Sequence, residues 1–192
     1  MKTKLVLIAA ALTGCLMVSA ATAAEKADAL PTPAALQAQL RAMSPAAKAE
    51  CHLDSHGFPA CTTNGVETFV TTCTGDMYFG QVSDSAGATL DSEYDKTAGK
   101  PRVKLAEGQF LCLAATVGKT SDPSRFYVVA MPTERVKDCK GNDLCQSKPV
   151  QWVGGAPKEA CTWKGNAGEF TGACPAGWVD ADKVEQFSMG LH

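Results

Sequence analysis

The hydrophobic positions change their rhythm once along this chain. Between Pro33 and Met43, the apolar residues Leu36, Leu40 and Met43 recur at helical spacing and form one narrow stripe. Thr32 is placed to cap that segment, and Pro33 to occupy its first turn, where the missing N–H costs nothing. Ser44-Pro45 repeats the cap-plus-proline pattern, so residues 33–52 read as two short helices or one kinked helix. Pieces this short hold only when docked onto a core.

From Phe58 onward the rhythm is that of strands. Asn64-Gly65 stands between two stretches rich in Thr and Val, and both central positions of a tight hairpin turn need positive φ, so residues 58–73 predict a hairpin. "MYFGQVS" (77–83) reads as a strand, and the polar, Gly-containing stretch 84–102 as a long loop or frayed ribbon. "VKLAEGQFLCLAATV" (103–117) places two apolar runs around a Glu107-Gly108 turn. "RFYVVAM" (125–131) is dense in aromatic and β-branched residues, as a central strand is. Short strands around Gly-rich turns follow to the end of the chain. The pattern is mainly β, a barrel or sandwich preceded by a short helical segment.

The first residues change the picture of the compartment. Lys2 and Lys4 precede an apolar run from Leu5 to Val18 and then small residues, the order of a secretory signal peptide covering residues 1–23. The run is about 14 residues, short for a bilayer span, and no later stretch approaches it, so no transmembrane segment is expected. "LTGC", ending at Cys15, resembles the lipobox of bacterial lipoproteins, which would make Cys15 a lipid anchor. The residues after it stay apolar where that family turns polar, which favours the ordinary leader. A bacterial protein, periplasmic or secreted, is the expectation, with a linker and short helices over 24–57 and a disulfide-rich β domain over 58–192.

Without Lys2 and Lys4, sixteen Lys and Arg face twenty Asp and Glu, so there is no basic footprint for nucleic acid. Nine cysteines less Cys15 leave Cys51, Cys61, Cys73, Cys112, Cys139, Cys145, Cys161 and Cys174, an even set in an exported chain and hence a disulfide framework. Eight cysteines allow 105 connectivities. Local spacing favours Cys51 with Cys61 and Cys139 with Cys145. Cys161 would stand opposite Cys174 across a turn at Ala167-Gly168, and Cys73 is then left for Cys112.

"AECHLDSHGFPAC" (49–61) raises a different chemistry. His52 and His56 are four apart and would share a face if a helix ran through them, with Asp54 as a third ligand. The stretch lacks HExxH, so a metal carrier or a hydrolase built on His52 and His56 is an alternative and the simple disulfide is preferred. A triad of Ser55 or Ser83 with His56 has no motif behind it. Asp84, Asp91, Glu93, Asp95, Asp180 and Asp182 supply acids for glycoside chemistry, but a solvated polar loop explains them as well. No catalytic residue, metal site or cofactor is assigned.

"CPAGWVDADKVE" (174–185) resembles the end of a bacterial SH3 (SH3b) domain, which closes with a Gly-Trp-Val strand, a short turn and an aliphatic residue. Here these are Gly177, Trp178, Val179 and Val184. "LAEGQFLCLAA" is similar to the turn-glycine and apolar strand of that family, and "SRFYVVAM" to its next strand. The resemblance covers residues 103–131 and 174–186. It departs in lacking the family's opening motif and in an insertion of about 45 residues between Met131 and Gly177. It implies a small SH3-like barrel with a disulfide-stapled insertion, whose interior would take Phe110, Cys112, Tyr127, Val129 and Trp178. Ligands would then fall to loops and outward aromatics, with Tyr94, Trp152 and Trp163 as candidates. The resemblance implies a non-catalytic binding module for a cell-envelope component such as peptidoglycan peptides. A secreted or periplasmic inhibitor, presenting the Cys139–Cys145 loop to another exported protein, is the competing reading.

Overall fold

The structure is a computed structural model that describes residues 30–71, 73, 78–133, 136, 139–163 and 170–189. The expected leader, with Cys15, and the Ala167-Gly168 turn lie outside the described residues. From Pro31 onward the chain forms a single compact unit.

Helix α1 runs over Pro33–Met43. Thr32, extended at φ −72° and ψ 152°, accepts the amide of Ala35 on its hydroxyl at 3.3 Å, and Pro33 opens the first turn. Leu36 and Leu40 are the buried face. The helix stops as the amide of Ser44 donates to the carbonyl of Leu40 at 2.9 Å. The expected second helix does not form. Ser44 is drawn away from a capping role: its hydroxyl donates to Glu93 at 2.7 Å, and the same carboxylate accepts the Ala46 amide at 3.1 Å. The chain instead enters strand β1, Ala49–Leu53.

β1 pairs with β2, Pro59–Thr63, which turns through Asn64 (φ 51°) and Gly65 (φ 79°) into β3, Val66–Val70. This is the hairpin that Asn64-Gly65 predicts, with both turn residues in the left-handed region. The remaining strands are β4 (Phe79–Val82), β5 (Ala88–Asp91), β6 (Pro101–Leu105), β7 (Phe110–Lys119), β8 (Asp122–Ala130), β9 (Gln151–Trp152), β10 (Thr162–Trp163), β11 (Phe170–Thr171), β12 (Ala176–Asp180) and β13 (Val184–Gln186). A 3₁₀ turn, Ala181–Lys183, links the last two. Stretch 84–102 is therefore more ordered than a loop, because β5 and β6 pair within and beyond it.

All pairings are antiparallel. The main path is β1-β2-β3-β7-β8-β12-β5-β6-β9, and β10 pairs with β11 apart from it. The long strand β7 is shared: β3 pairs with its second half and β4 with its first, and β13 lies on β4. Among the described residues these ladders do not close into a ring. β8 is central, between β7 and β12.

Both faces of this sheet are buried. One face carries Leu111, Leu113, Phe126, Val128 and Val179, packed against Val82, Leu90, Val103, Leu105 and Val184. The other carries Phe110, Cys112 and Val129 in one cluster, and Ala115, Val117 and Trp178 against Leu36 and Leu40 of α1 in another. The expected interior set, Phe110, Cys112, Tyr127, Val129 and Trp178, thus lies on the second face, one residue out of phase with the set that packs under β5 and β6. A β-bulge between Leu113 and Ala115 shifts the register within β7 itself.

Four disulfides staple the unit: Cys51–Cys61, Cys73–Cys112, Cys139–Cys145 and Cys161–Cys174. Cys51 and Cys61 are direct cross-strand partners, Cα atoms 4.1 Å apart. Cys161 and Cys174 are not. The β10–β11 register sets Thr162 against Thr171, and a bend at Gly172 (φ 77°) swings Cys174 back to 4.4 Å from Cys161. Any side chain at Gly172 would meet the Ala160 carbonyl, 2.2 Å from an ideal Cβ.

Candidate functional site

The second face of the sheet is not covered evenly. α1 lies over Trp178, Ala115 and Val117, and the insertion between β8 and β12 lies over part of the rest. Between them a cleft of about 890 Å³ remains. Its floor is sheet: Cys112 and Ala114 of β7, Tyr127 and Val129 of β8, and Ala176 of β12. One wall is α1, through Gln39, Ala42 and Met43. The opposite wall comes from Arg102 on β6, Trp152 on β9, and Phe170 to Cys174. Size and lining are those of a small-ligand site, mostly apolar with a few polar groups.

The walls are held firmly. Trp178 is fully buried, and its indole N–H donates to the carbonyl of Met43 at 2.9 Å, which ties the end of α1 to β12. Tyr127 packs edge-on to Trp178 with centroids 5.3 Å apart. Arg102 sits on a strand paired on both sides, by β5 and β9, and its carbonyl accepts the Val153 amide at 2.8 Å. The Cys73–Cys112 and Cys161–Cys174 bridges fix the two rims.

Charge in the cleft is sparse. Among the described residues that line it, Arg102 is the one ionised side chain, and Tyr127 is the one other group able to titrate, since the half-cystines do not. Burial pushes the Tyr127 phenol above its usual value, and the Arg102 guanidinium pulls it partly back.

The expected site residues are distributed unequally. Trp152 is half-buried and lines the cleft. Tyr94 lies elsewhere: its ring meets the edge of Trp178 at 5.5 Å, and its amide donates to the hydroxyl of Ser44 at 2.9 Å. Trp163 belongs to β10, and its side chain lies outside what the structure describes. Arg102, Met43 and Phe170 had no motif to mark them. The alternation in "PRVKL" identifies Arg102 and Lys104 as outward-facing, but only the fold shows that the outward side at 102 faces a cleft.

The acidic residues are engaged in structure. Arg125, with 7% of its side chain exposed, donates to Asp91 at 2.8 Å and has its Nε 3.3 Å from Asp180, though not aligned for a hydrogen bond. It also donates to the carbonyl of Tyr94. Lys96 adds a second cation on Asp180 at 2.6 Å. Asp84 pairs with Lys183, and the Thr97 hydroxyl and amide hold Asp95 below the ordinary carboxylate range. His52 lies exposed on β1 and His56 in the exposed turn after it. Asp54 spends its carboxylate on that turn, accepting the amides of His56 and Phe58 at 2.8 and 2.9 Å. Among the described residues no group of three metal-ligating side chains converges.

The disulfides point to an oxidising compartment. No helix among the described residues is long and apolar enough to cross a membrane. No family model, curated protein or solved structure matches this chain.

Proposed function

We propose that this is an exported, non-catalytic binding module that holds a cell-envelope ligand, peptidoglycan peptide being the leading class, in the cleft between α1, the sheet and the insertion. The observation that carries the reading is the cleft: about 890 Å³, lined by Met43, Tyr127, Val129, Trp152 and Phe170, and held by two disulfides. A preformed apolar cavity limits the ordering cost of binding. The SH3-like reading is supported by connectivity. Gly177, Trp178 and Val179 lie on β12, the 3₁₀ turn follows, and Val184 begins β13. β13 returns to β4, which lies on β7, and the two similar upstream stretches form the adjacent strands β7 and β8. The large insertion of the resemblance is the segment that walls the cleft.

Co-sedimentation of the mature protein with isolated bacterial cell wall tests this. Retention at modest salt, lost in Ala42→Trp, is the expected result, since an indole on α1 would fill the cleft from an exposed helix position. Absence of retention would remove the envelope ligand, and equal retention of Ala42→Trp would remove the cleft.

A further inference from the structure

We infer that the cleft selects ligands with an apolar body and one anionic end group, a carboxylate being the natural form, received by the guanidinium of Arg102. The inference rests on the use of the cleft proposed above and adds the chemical class of what enters it.

Two arginines on neighbouring parts of the sheet make the argument by contrast. Arg125 is buried, and its charge is answered by Asp91 and Asp180 and by the Tyr94 carbonyl. Arg102 makes no ion pair among the described residues, although it lines a mainly apolar cavity. The chain thus neutralises one guanidinium internally and leaves the other facing a space large enough for a ligand. Arg102 lies within electrostatic reach of the Tyr127 phenol on the cleft floor, so its field extends into the cavity. Among the described residues, no carboxylate lines the cleft to compete for it.

The direction of selection follows from these surroundings. An anion beside Arg102, which is itself exposed, gains charge-assisted, planar hydrogen bonds. A cation there meets repulsion and no acceptor of its own charge. Trp152, Phe170, Met43 and Val129 can cover only an apolar body. The peptide C-terminus of a wall fragment and a short amphiphilic acid share this chemistry.

Two fluorescent probes with nearly the same aromatic body separate the charge from the cleft: 8-anilinonaphthalene-1-sulfonate, a monoanion, and N-phenyl-1-naphthylamine, which is neutral. Both are titrated into the native protein, into Arg102→Ala and into Ala42→Trp. Both bind the native protein and are lost in Ala42→Trp. Arg102→Ala weakens the anionic probe about tenfold, as expected for loss of one charge-assisted contact, and changes the neutral one by less than about twofold. An anionic probe unaffected by Arg102→Ala overturns the inference while leaving the cleft in place. Equal weakening of both probes also overturns it, because Arg102 would then act through packing. Failure of the anionic probe alone to bind the native protein overturns the inference and leaves the cleft in place; failure of the neutral probe to bind it, or binding that survives Ala42→Trp, removes the cleft reading and this inference together.

Discussion

The indole N–H of Trp178 on β12 donates to the carbonyl of Met43, the last residue of α1, across 135 positions of sequence. That bond satisfies one of the carbonyls a helix leaves open at its C-terminal end, and it does so from a fully buried ring. Trp178→Phe keeps much of the apolar area but strands the Met43 carbonyl, at a cost of about 1–2 kcal/mol. Trp178→Ala costs about 3–5 kcal/mol through the cavity it opens. Urea denaturation gives both values. Amide exchange over residues 33–43 should rise more in Trp178→Phe than the global loss accounts for, because the helix is released locally.

Arg125 is the second point on which the architecture turns. Its guanidinium gathers Asp91 from β5, Asp180 from the end of β12 and the backbone at Tyr94. Truncation to Ala leaves the Asp91 carboxylate without this cation, while Asp180 keeps Lys96, at a cost of about 1–3 kcal/mol. Arg125→Met, which refills the volume, should still be destabilised. Arg125→Met combined with Asp91→Asn should recover part of that loss, since the neutral amide no longer needs a cation. Thermal melts of the single and double variants decide it; no recovery would mean that the arginine serves by packing alone.

Much of the local structure could be read in the residues that make it. Thr32-Pro33 and Asn64-Gly65 act within a few positions of themselves, and their cap and turn form as their own residues dictate. The pairs Cys51–Cys61 and Cys139–Cys145 close over short, turn-containing segments. Phase was not legible. "FLCLAATV" in β7 has no polar alternation, because α1 and the insertion cover one face while β5 and β6 cover the other. With both faces apolar, nothing in the string says whether Leu111 or Cys112 points into the first cluster. The second helix failed for another reason: Glu93, 49 residues from Ser44, takes the cap for itself.

The cleft was the least legible feature. Its lining comes from α1, β6, β7, β8, β12 and the insertion that carries β9, so no contiguous stretch encodes it. Trp152 stands out only as an outward aromatic on a short strand, and Tyr94 as an aromatic in a polar loop, yet the ring of Tyr94 packs against Trp178. Arg102 looks like any outward arginine of a half-buried strand until the insertion is in place.

Asp84 and Lys183 give the fold a defined acid response. The Lys183 hydrogen bond, helped by the Ala86 amide, holds the Asp84 carboxyl below its ordinary 3.8, and the same pair raises Lys183 above 10.5. The carboxylate's contribution is therefore present above pH 3.8 and is lost as pH falls through the lower folded-state value. The lysine's contribution persists below pH 10.5 and is lost only as pH rises through its raised value. Asp84→Asn should melt earlier than the parent at about pH 7, and the two melting temperatures should converge as the pH falls through the lowered folded-state value of Asp84, below which both side chains are neutral. A gap that stays constant across that range would assign the effect to geometry instead of charge.

Gly177 tests how closely β12 approaches β5. Its backbone lies so near that an ideal Cβ would stand 2.5 Å from the Asp91 carbonyl oxygen and 3.0 Å from the Leu90 Cβ. The first of these is main chain and cannot rotate away. Gly177→Ala must part the two strands, at a cost of about 1–3 kcal/mol. It should also loosen the Asp91–Arg125 pair, which the same strand carries. Denaturant midpoints measure the loss, and a neutral substitution would show that the strands stand further apart than this.

The disulfides should rank by the chain they close, if they act on the unfolded state. Cys73–Cys112 spans 39 positions and Cys139–Cys145 only 6. Loop-closure entropy then assigns about 4 kcal/mol to the first and about 2 kcal/mol to the second. Replacing Cys73 and Cys112 by Ala adds a packing loss, because both are almost wholly buried and line the cleft floor and rim. The double variant at 73 and 112 should therefore lose stability by the larger amount and also weaken binding of the neutral probe. The double variant at 139 and 145, away from the cleft, should lose the smaller amount and bind the probe as the parent does. The opposite ranking in guanidinium melts would mean that these bridges stabilise through the packing of the folded state and not through the chain they close.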